Sequence, residues 1–468
     1  MKVQLYNTAS RSVEEFAPIH PPEARIYSCG MTVYSFAHIG HLKTYIASDI
    51  LRRTLEFAGY EVRHVMNVTD VGHMTSDEDE GDDKMDVGAK KEGLSPWELA
   101  RKYEEHFFNT IREVNIIRPQ VICRATEHIQ EQIELIQRLE KNGFTYITPA
   151  GVVFDSNKFD RYADFARLQL DGNIENFRTA ADPDRKSPQD FSLWVLNKPN
   201  HVMQWDSPWG RGYPGWHIEC SAMAMRYLGE ELDIHTGGID HIPVHHTNEI
   251  AQSECATGKT FARFWVHSAF LNVDGTKMSK SLGNLYTLDD CRAKGFTPLA
   301  LRYFFLQSSY RKPINFTWDA LEAAQTALAK IWEFCSELPA PSVEPLEDYL
   351  SEFRAALYDD LNTSAALAVV HKLIKSDADP AAKARTLFKM DDVLALDLAT
   401  SRTRLNDLRT MRGATQDSEQ KALELAQQRQ ELRKQKNFAE ADRLRGEIEA
   451  LGFTVMDTPA GPQVKPLG

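Results

Sequence analysis

The sequence predicts an α/β protein built on a parallel sheet, interrupted by an insertion and followed by a largely helical second half. Three observations carry this. A strand, a glycine-containing loop and a periodic helix follow one another over residues 25–57, the arrangement that places a phosphate site in doubly wound folds. A second short strand, Leu232-Asp233-Ile234-His235, runs into Gly237-Gly238 after a long stretch of different character. From about residue 299 onward the apolar residues fall at three- and four-residue spacing, which is the helical period. Together these describe a Rossmann-like parallel-sheet domain with an inserted connective domain, then an α-helical bundle and a small C-terminal domain.

Along the chain, Arg25-Ile26-Tyr27-Ser28 reads as the first strand and leads through Cys29-Gly30 to a loop carrying His38. Leu42, Tyr45, Ile46, Ile50, Leu51 and Leu55 place a helix from Leu42 to about Phe57, and Glu61 to Val68 reads as the next strand. His38 and His41 are thereby expected near the carboxyl end of the first strand. After Asn67-Val68-Thr69-Asp70 comes an acidic insertion, residues 71–81. It does not fit a calcium loop: Gly81 is one place early, and Gly88 stands where a bidentate glutamate belongs. A surface loop is expected there.

Residues from about 92 to 199 read as the insertion, with a helix over Glu127–Leu139 and short strands around Thr145–Phe154. The sheet domain resumes near Trp216. Helices follow at Leu299–Phe305, Trp318–Leu338, Leu346–Leu357 and Thr363–Lys375, with Pro339, Pro341 and Pro345 between two of them. Gly413 to Gln420 reads as a polar linker into a last helical pair. Phe438, Ala441, Leu444, Ile448 and Leu451 mark the face of its second member, Gly452 ends it, and Phe453-Thr454-Val455-Met456 reads as a strand. The expected domains are 1–91 and 200–316 for the two halves of the Rossmann-like domain, 92–199 for the connective insertion, 317–412 for the helical bundle and 413–468 for the small C-terminal domain.

A chain of 468 residues accommodates several such domains. No apolar run approaches the ~20 residues of a membrane helix. The start, Met1-Lys2-Val3-Gln4-Leu5-Tyr6, lacks a basic-then-apolar leader, so a cytoplasmic location is expected and no membrane partner. Six scattered cysteines in a reducing compartment point to burial or metal binding rather than disulfides. The net charge of −13 says little against nucleic acid, because phosphate binding needs a local basic face and not a basic average.

Two short motifs carry the chemistry. His38-Ile39-Gly40-His41 offers two imidazoles flanking a glycine, and Lys277-Met278-Ser279-Lys280-Ser281 offers two ammonium groups flanking a hydroxyl. Such donors hold a triphosphate and stabilise charge on phosphorus under attack. Gly40 leaves room for a base or sugar against the backbone. Each motif alone also fits a plainer role, a helix N-cap for the first and a solvated basic loop for the second. Cys29, Cys220, His245 and Glu249 are metal-ligand types; His245 and Glu249 share a face if helical, and the set suits zinc. Spacing alone leaves open that both cysteines are ordinary buried thiols and His245 a satisfied polar residue.

The paired motifs resemble the two marks of class I aminoacyl-tRNA synthetases. Cys29-Gly30-Met31-Thr32-Val33-Tyr34, Arg124 to Ile129, Trp205 to Gly210, Pro214 to Met223, His245 to Ser253, Lys277 to Asn284, Leu301 to Phe304 and Phe438 to Arg445 resemble the cysteinyl-tRNA synthetase family in particular. The resemblance covers essentially the whole chain. It implies a zinc ion on Cys29, Cys220, His245 and Glu249 that takes the thiolate of L-cysteine, and ATP with magnesium as substrate. It further implies His38 and His41 at the α-phosphate, Lys277 and Lys280 on the departing pyrophosphate, and transfer of cysteine from an adenylate to tRNA(Cys). Gly40, Asp240 and Lys280 are expected on the nucleotide, and Thr32 and Trp216 on the amino acid; Trp216 is otherwise a core aromatic.

Metal recognition has a physical rationale. Serine differs from cysteine by one atom, and a size-selective pocket rejects so close an analogue only about a hundredfold. A zinc-bound thiol deprotonates and binds, whereas an alkyl hydroxyl is a far poorer ligand. Four protein ligands would close the coordination sphere, so either Glu249 is a weak or outer ligand or the sphere expands on binding. Arg402, Arg404, Arg409, Arg412, Arg433, Lys434 and Lys436 are candidates for tRNA phosphate, or else a solvated helix surface. Val464 stands where the family usually has an aromatic, which removes an anticodon stacking partner. A monomer is expected. The rival readings are a ligase joining cysteine to a sugar amine, which should lack the helical C-terminal half, and a non-catalytic RNA-binding relative, which should have damaged ATP motifs.

Overall fold

The computed structural model describes residues 2–72, 84–167, 184–198, 201–279, 282–411, 416–458 and 461–466. Lys280, Ser281, Arg412 and most of the acidic insertion fall outside the described residues. The chain divides into two compact units. The first contains Met1–Leu271, Ser309–Ile314 and Ala355–Asn362, and the second contains the rest.

The first unit is centred on five strands: β1 (Glu23–Ser28), β2 (Glu61–Val68), β3 (Val121–Arg124), β4 (Leu232–Gly238) and β5 (Ala262–Ser268). Their order is β5-β4-β1-β2-β3, and every neighbouring pair is parallel. The helices that serve this unit are α1 (Ile39–Phe57), α2 (Pro96–Glu113), α3 (Ile129–Lys141), α4 (Trp216–Leu228) and α5 (Thr247–Thr257). The order reverses between β1 and β4: the chain winds outward from β1 through β2 to β3, then returns to β1's other side with β4. Ligands bind at such a switch point, beyond the carboxyl ends of the strands.

Strands covered on both faces are normally apolar, and β4 departs from that. Asp233, His235 and Thr236 are buried within it, and each needs a partner. Asp233 accepts the backbone N–H groups of Ile19 and Arg25. Thr236 shares hydroxyl hydrogen bonds with Ser28 and Ser48. His235 reaches Glu249.

The sequence reading omits the strand Ala262–Ser268 and the helix Pro96–Glu113, and two further elements differ from it. Val121–Arg124 lies inside the expected insertion, yet it is the edge strand of the parallel sheet. Four residues at an edge leave too little alternation to announce a strand. The remaining insertion supplies Thr145–Thr148, Gly151–Phe154 and Phe191–Leu196 to an antiparallel sheet whose fourth strand, Gly212–Pro214, lies beyond the expected boundary at 199. The other difference is that α1 starts at Ile39 rather than Leu42, because His38 caps it.

The second unit is mainly helical, with α6 (Pro298–Leu306), α7 (Trp318–Glu337), most of α8 (Glu347–Tyr358), α9 (Thr363–Ile374), α10 (Pro380–Leu394) and α11 (Ser401–Met411). Its buried polar groups are satisfied locally: Arg302 donates to the Leu394 carbonyl and the Trp332 indole to that of Leu396. At its end α12 (Gln416–Lys434), α13 (Phe438–Ala450) and the hairpin of Phe453–Thr458 with Gly461–Pro466 close over a small core of Ala422, Ala426, Ile448 and Phe453. Among the described residues no helix is long and apolar enough to cross a membrane.

Candidate active site and metal-ligand cluster

A cavity of about 310 Å³ opens at the switch point. Cys29, Gly30 and Thr32 line it from the turn after β1, His41 and Tyr45 from α1, and Asn67 and Thr69 from the end of β2. Trp216 and Cys220 of α4, Gly238 at the end of β4, and Asp240 and His245 beyond it complete the wall. The expected substrate residues Thr32 and Trp216 and the expected nucleotide residue Asp240 are thus brought together. Trp216 is a half-buried wall residue stacked on His245, with ring centroids 4.3 Å apart, rather than a core aromatic.

The histidine pair is locked by α1's own N-terminus. His38 is the N-cap, and its Nδ1 accepts the His41 backbone N–H at 3.2 Å. The Nδ1 of His41 accepts the His38 N–H at 3.3 Å, and the two rings stack at 3.5 Å. This is a capping box made from imidazoles in place of the usual hydroxyl and carboxylate. With each Nδ1 an acceptor, each neutral ring carries its proton on Nε2. Burial, reinforced by His38 and His241, pushes the His41 pKa well below its usual value. His41 is therefore a neutral N–H donor at pH 7. Gly40 sits in the first turn of α1, where the helix presents unpaired N–H groups and the positive end of its dipole.

The expected metal ligands converge. One donor atom from each of Cys29, Cys220, His245 and Glu249 lies within 4.8 Å of the others, and all four residues are buried. The two sulfurs are 4.0 Å apart, Cys29 Sγ is 3.8 Å from Glu249 Oε1, and His245 Nε2 is 2.7 Å from the same oxygen. A π-helical turn at Ile242–His246 precedes α5 and carries His245; such turns are frequent at functional sites. A second, overlapping group of Cys29, His235, His246 and Glu249 meets the same distance limit. His235, His246 and Glu249 stand behind the cavity wall, whereas Cys29, Cys220 and His245 line it.

The electrostatics suit a cation. Glu249 is fully buried; against that burial, His235 and His245 hold its carboxyl well below the usual range. Burial would lower His245, but the Glu249 charge raises it to about 10. Burial pushes the Cys29 thiol well up. Cys220, opposed by burial, is brought down to about 7 by its hydrogen bond to Cys29 and by His245. The His245 Nε2 faces Glu249 Oε1 at 2.7 Å but outside hydrogen-bond geometry, so charge and not a directed hydrogen bond holds this buried nitrogen. Two thiols, an imidazole and a carboxylate at this spacing are a fitting donor set for zinc.

Sequence reasoning did not single out the histidines behind this set. His217 Nδ1 meets His245 Nδ1 at 2.9 Å. His246 bonds His267 at 2.7 Å, and His267 bonds the Thr8 hydroxyl at 2.8 Å. The crowding of His241, His245 and His246 in the sequence was the available signal. Lys277 belongs to the second unit, where it ends a short hairpin, Asn272–Lys277, and is exposed. Its partner Lys280 falls outside the described residues.

Residues 15–326 match the family described as tRNA synthetases class I (C) catalytic domain. Residues 352–398 match the DALR domain, and residues 415–464 the cysteinyl-tRNA ligase anticodon binding domain. The chain is 42% identical to a cysteine–tRNA ligase of Treponema denticola, covering 98% of each chain. It is 44% identical to cysteine–tRNA ligase 1 of Burkholderia lata, covering 99% of this chain and 97% of that one. Among solved structures, a methionyl-tRNA synthetase of Mycobacterium tuberculosis in complex with methionyl-adenylate superposes with a TM-score of 0.54 at 17% identity, over 85% of this chain and 95% of that one. That likeness concerns the fold.

Proposed function

The chain belongs to the cysteine–tRNA ligase family of class I synthetases, enzymes that join cysteine to tRNA(Cys) with ATP, and we propose that it selects its amino acid through a zinc ion on Cys29, Cys220, His245 and Glu249. The observation that carries this is the convergence of those four buried donors, three of them (Cys29, Cys220 and His245) lining the cavity that His41 also lines and Glu249 behind its wall. Zinc bound there would supply a Lewis-acid contact that a thiolate satisfies and an alkyl hydroxyl does not. Glu249 is already engaged by His235, which supports its being the weaker or outer donor and leaves a position for the substrate.

The chain's own residues arrange the reaction around that contact. Thr32, Asn67, Thr69 and Trp216 enclose the amino acid and exclude water. Its carboxylate attacks the α-phosphate of ATP, forming a P–O bond while the bond to the pyrophosphate oxygen breaks. The Nε2–H groups of His38 and His41 donate to the phosphate oxygens as charge builds, aided by the N-terminus of α1. Asp240 and Gly40 sit on the nucleotide side. Lys277 and Lys280 hold the leaving pyrophosphate, whose charge magnesium shares. In the second half-reaction a ribose hydroxyl at the 3′ end of tRNA attacks the adenylate carbonyl and AMP departs. The C-terminal match to an anticodon binding domain supports tRNA as acceptor over a sugar amine.

Exchange of labelled pyrophosphate into ATP tests this. Exchange should require cysteine and be absent with serine. His41→Ala should lower it by about a hundredfold or more with zinc content unchanged by elemental analysis, and Cys220→Ala should lose the metal. A metal-free preparation that still rejects serine would overturn the assignment.

A further inference from the structure

We propose that Asp360 is a positioning residue for the phosphate-side histidines, acting through Tyr310 and Lys43 on the first turns of α1. This rests on the reading of His38 and His41 given above. The argument begins with backbone strain. Asp360 and Leu361 are consecutive non-glycine residues at φ 52° and 55°, in the left-handed region that L-residues other than glycine avoid. Leu361 and Asp360 are both buried. Strain of this kind persists only where the surroundings over-determine it, and it clusters at functional positions.

What over-determines it is a saturated carboxylate. Oδ1 accepts the Tyr6 backbone N–H at 2.8 Å and the Tyr310 hydroxyl at 2.7 Å, and Oδ2 accepts Arg311 Nε at 2.6 Å. The Asp360 N–H itself donates to the Gln4 carbonyl at 3.1 Å, and the Arg311 guanidinium lies over the Tyr6 ring. Every one of these residues belongs to the first unit, although Ser309–Ile314 and Ala355–Asn362 are flanked in sequence by chain of the second.

The Tyr310 segment that Asp360 holds then receives α1. Lys43, two residues beyond His41, is buried, and its ammonium donates to the carbonyls of Tyr310 at 3.1 Å and Ala269 at 2.6 Å and to the Ser268 hydroxyl at 3.2 Å. A buried ammonium has three donors to satisfy, and all three acceptors lie on segments that Asp360 or the end of β5 fixes. Lys43 thus ties the rotation and depth of α1 to the Asp360 turn. The aim of the His38 and His41 Nε2–H groups depends on that rotation and depth.

The test is a double-mutant cycle read by cysteine-dependent pyrophosphate exchange on the full chain. Asp360→Asn should lower kcat about tenfold with KM for cysteine and zinc content unchanged. In a His41→Asn background the same substitution should cost less than about twofold, because coupled residues are not additive. An equal loss in both backgrounds means that Asp360 acts by general stability, and the proposal falls. Wild-type kcat in Asp360→Asn also overturns it. If His41→Asn alone leaves exchange intact, the histidine assignment fails first and the proposal with it. Should Asp360→Asn not fold, Tyr310→Phe deletes one hydroxyl and is judged by the same criteria.

Discussion

A methyl group at Gly30 would stand 1.7 Å from the Asn67 carbonyl oxygen, so the turn after β1 can approach β2 only with glycine at this position. That approach lets the Gly30 N–H donate to Asn67 Oδ1 at 2.7 Å and sets Cys29 at the cavity floor. Gly30→Ala should therefore cost about 1–3 kcal/mol of stability and lower zinc occupancy, measured by urea unfolding and by metal content. Retention of both at the wild-type level would mean that the turn relaxes without moving Cys29. At this scale the sequence displayed the donor types that the fold brings together and hid several of those around them. Cys29, Cys220, His245 and Glu249 stand out by type. The His38 cap is the plainer role open to that motif, and the fold adopts it although imidazole is not among the common capping groups. His217, His246 and His267 do not stand out, since a histidine's role is set by whichever ring it faces across the fold.

At the scale of elements, apolar periodicity located α1, α7 and α9 to within a few residues, and β2 at both ends. It missed both edge strands, β3 and β5, and it could not place the π-helical turn before α5, since one extra residue in a turn leaves no mark in the pattern of apolar residues. Asp391, near the end of α10, shows how an element end is set by tertiary burial. Its carboxylate accepts the N–H groups of Leu396 and Leu398, and burial raises its pKa from 3.8 to about 6. A carboxyl whose folded pKa exceeds its unfolded value takes up a proton on folding, so its contribution is full below about pH 4 and is lost as pH rises through 6. Asp391 is partly exposed, and solvent screening trims the effect to about 1–2 kcal/mol. Asp391→Asn, which keeps one acceptor and does not titrate, should be less stable than wild type at pH 5 and approach it by pH 7 in urea unfolding. A gap independent of pH would exclude Asp391 as the titrating group.

At the scale of the molecule, the last segment has its own small core, built on Ala422, Ala426, Ile448 and Phe453, and its own match to an anticodon binding domain. A chain ending at residue 414 should keep cysteine-dependent pyrophosphate exchange within about twofold while charging of tRNA(Cys) falls by about tenfold or more, a loss of at least ~1.4 kcal/mol of RNA binding. Equal loss of both activities would mean that the segment serves the catalytic unit directly. By itself the sequence determined the class of fold, the helical second half and the residue types at the site. These follow from local periodicity and from side-chain chemistry, which a linear string retains. Only the tertiary structure decided that strand 121–124 belongs to the parallel sheet, that two overlapping donor sets share Cys29 and Glu249, and that Asp360 reaches Tyr6, Tyr310 and Arg311. Each of those joins residues more than forty positions apart, and their meeting depends on strand order and on buried polar groups finding partners, neither of which any window of sequence contains.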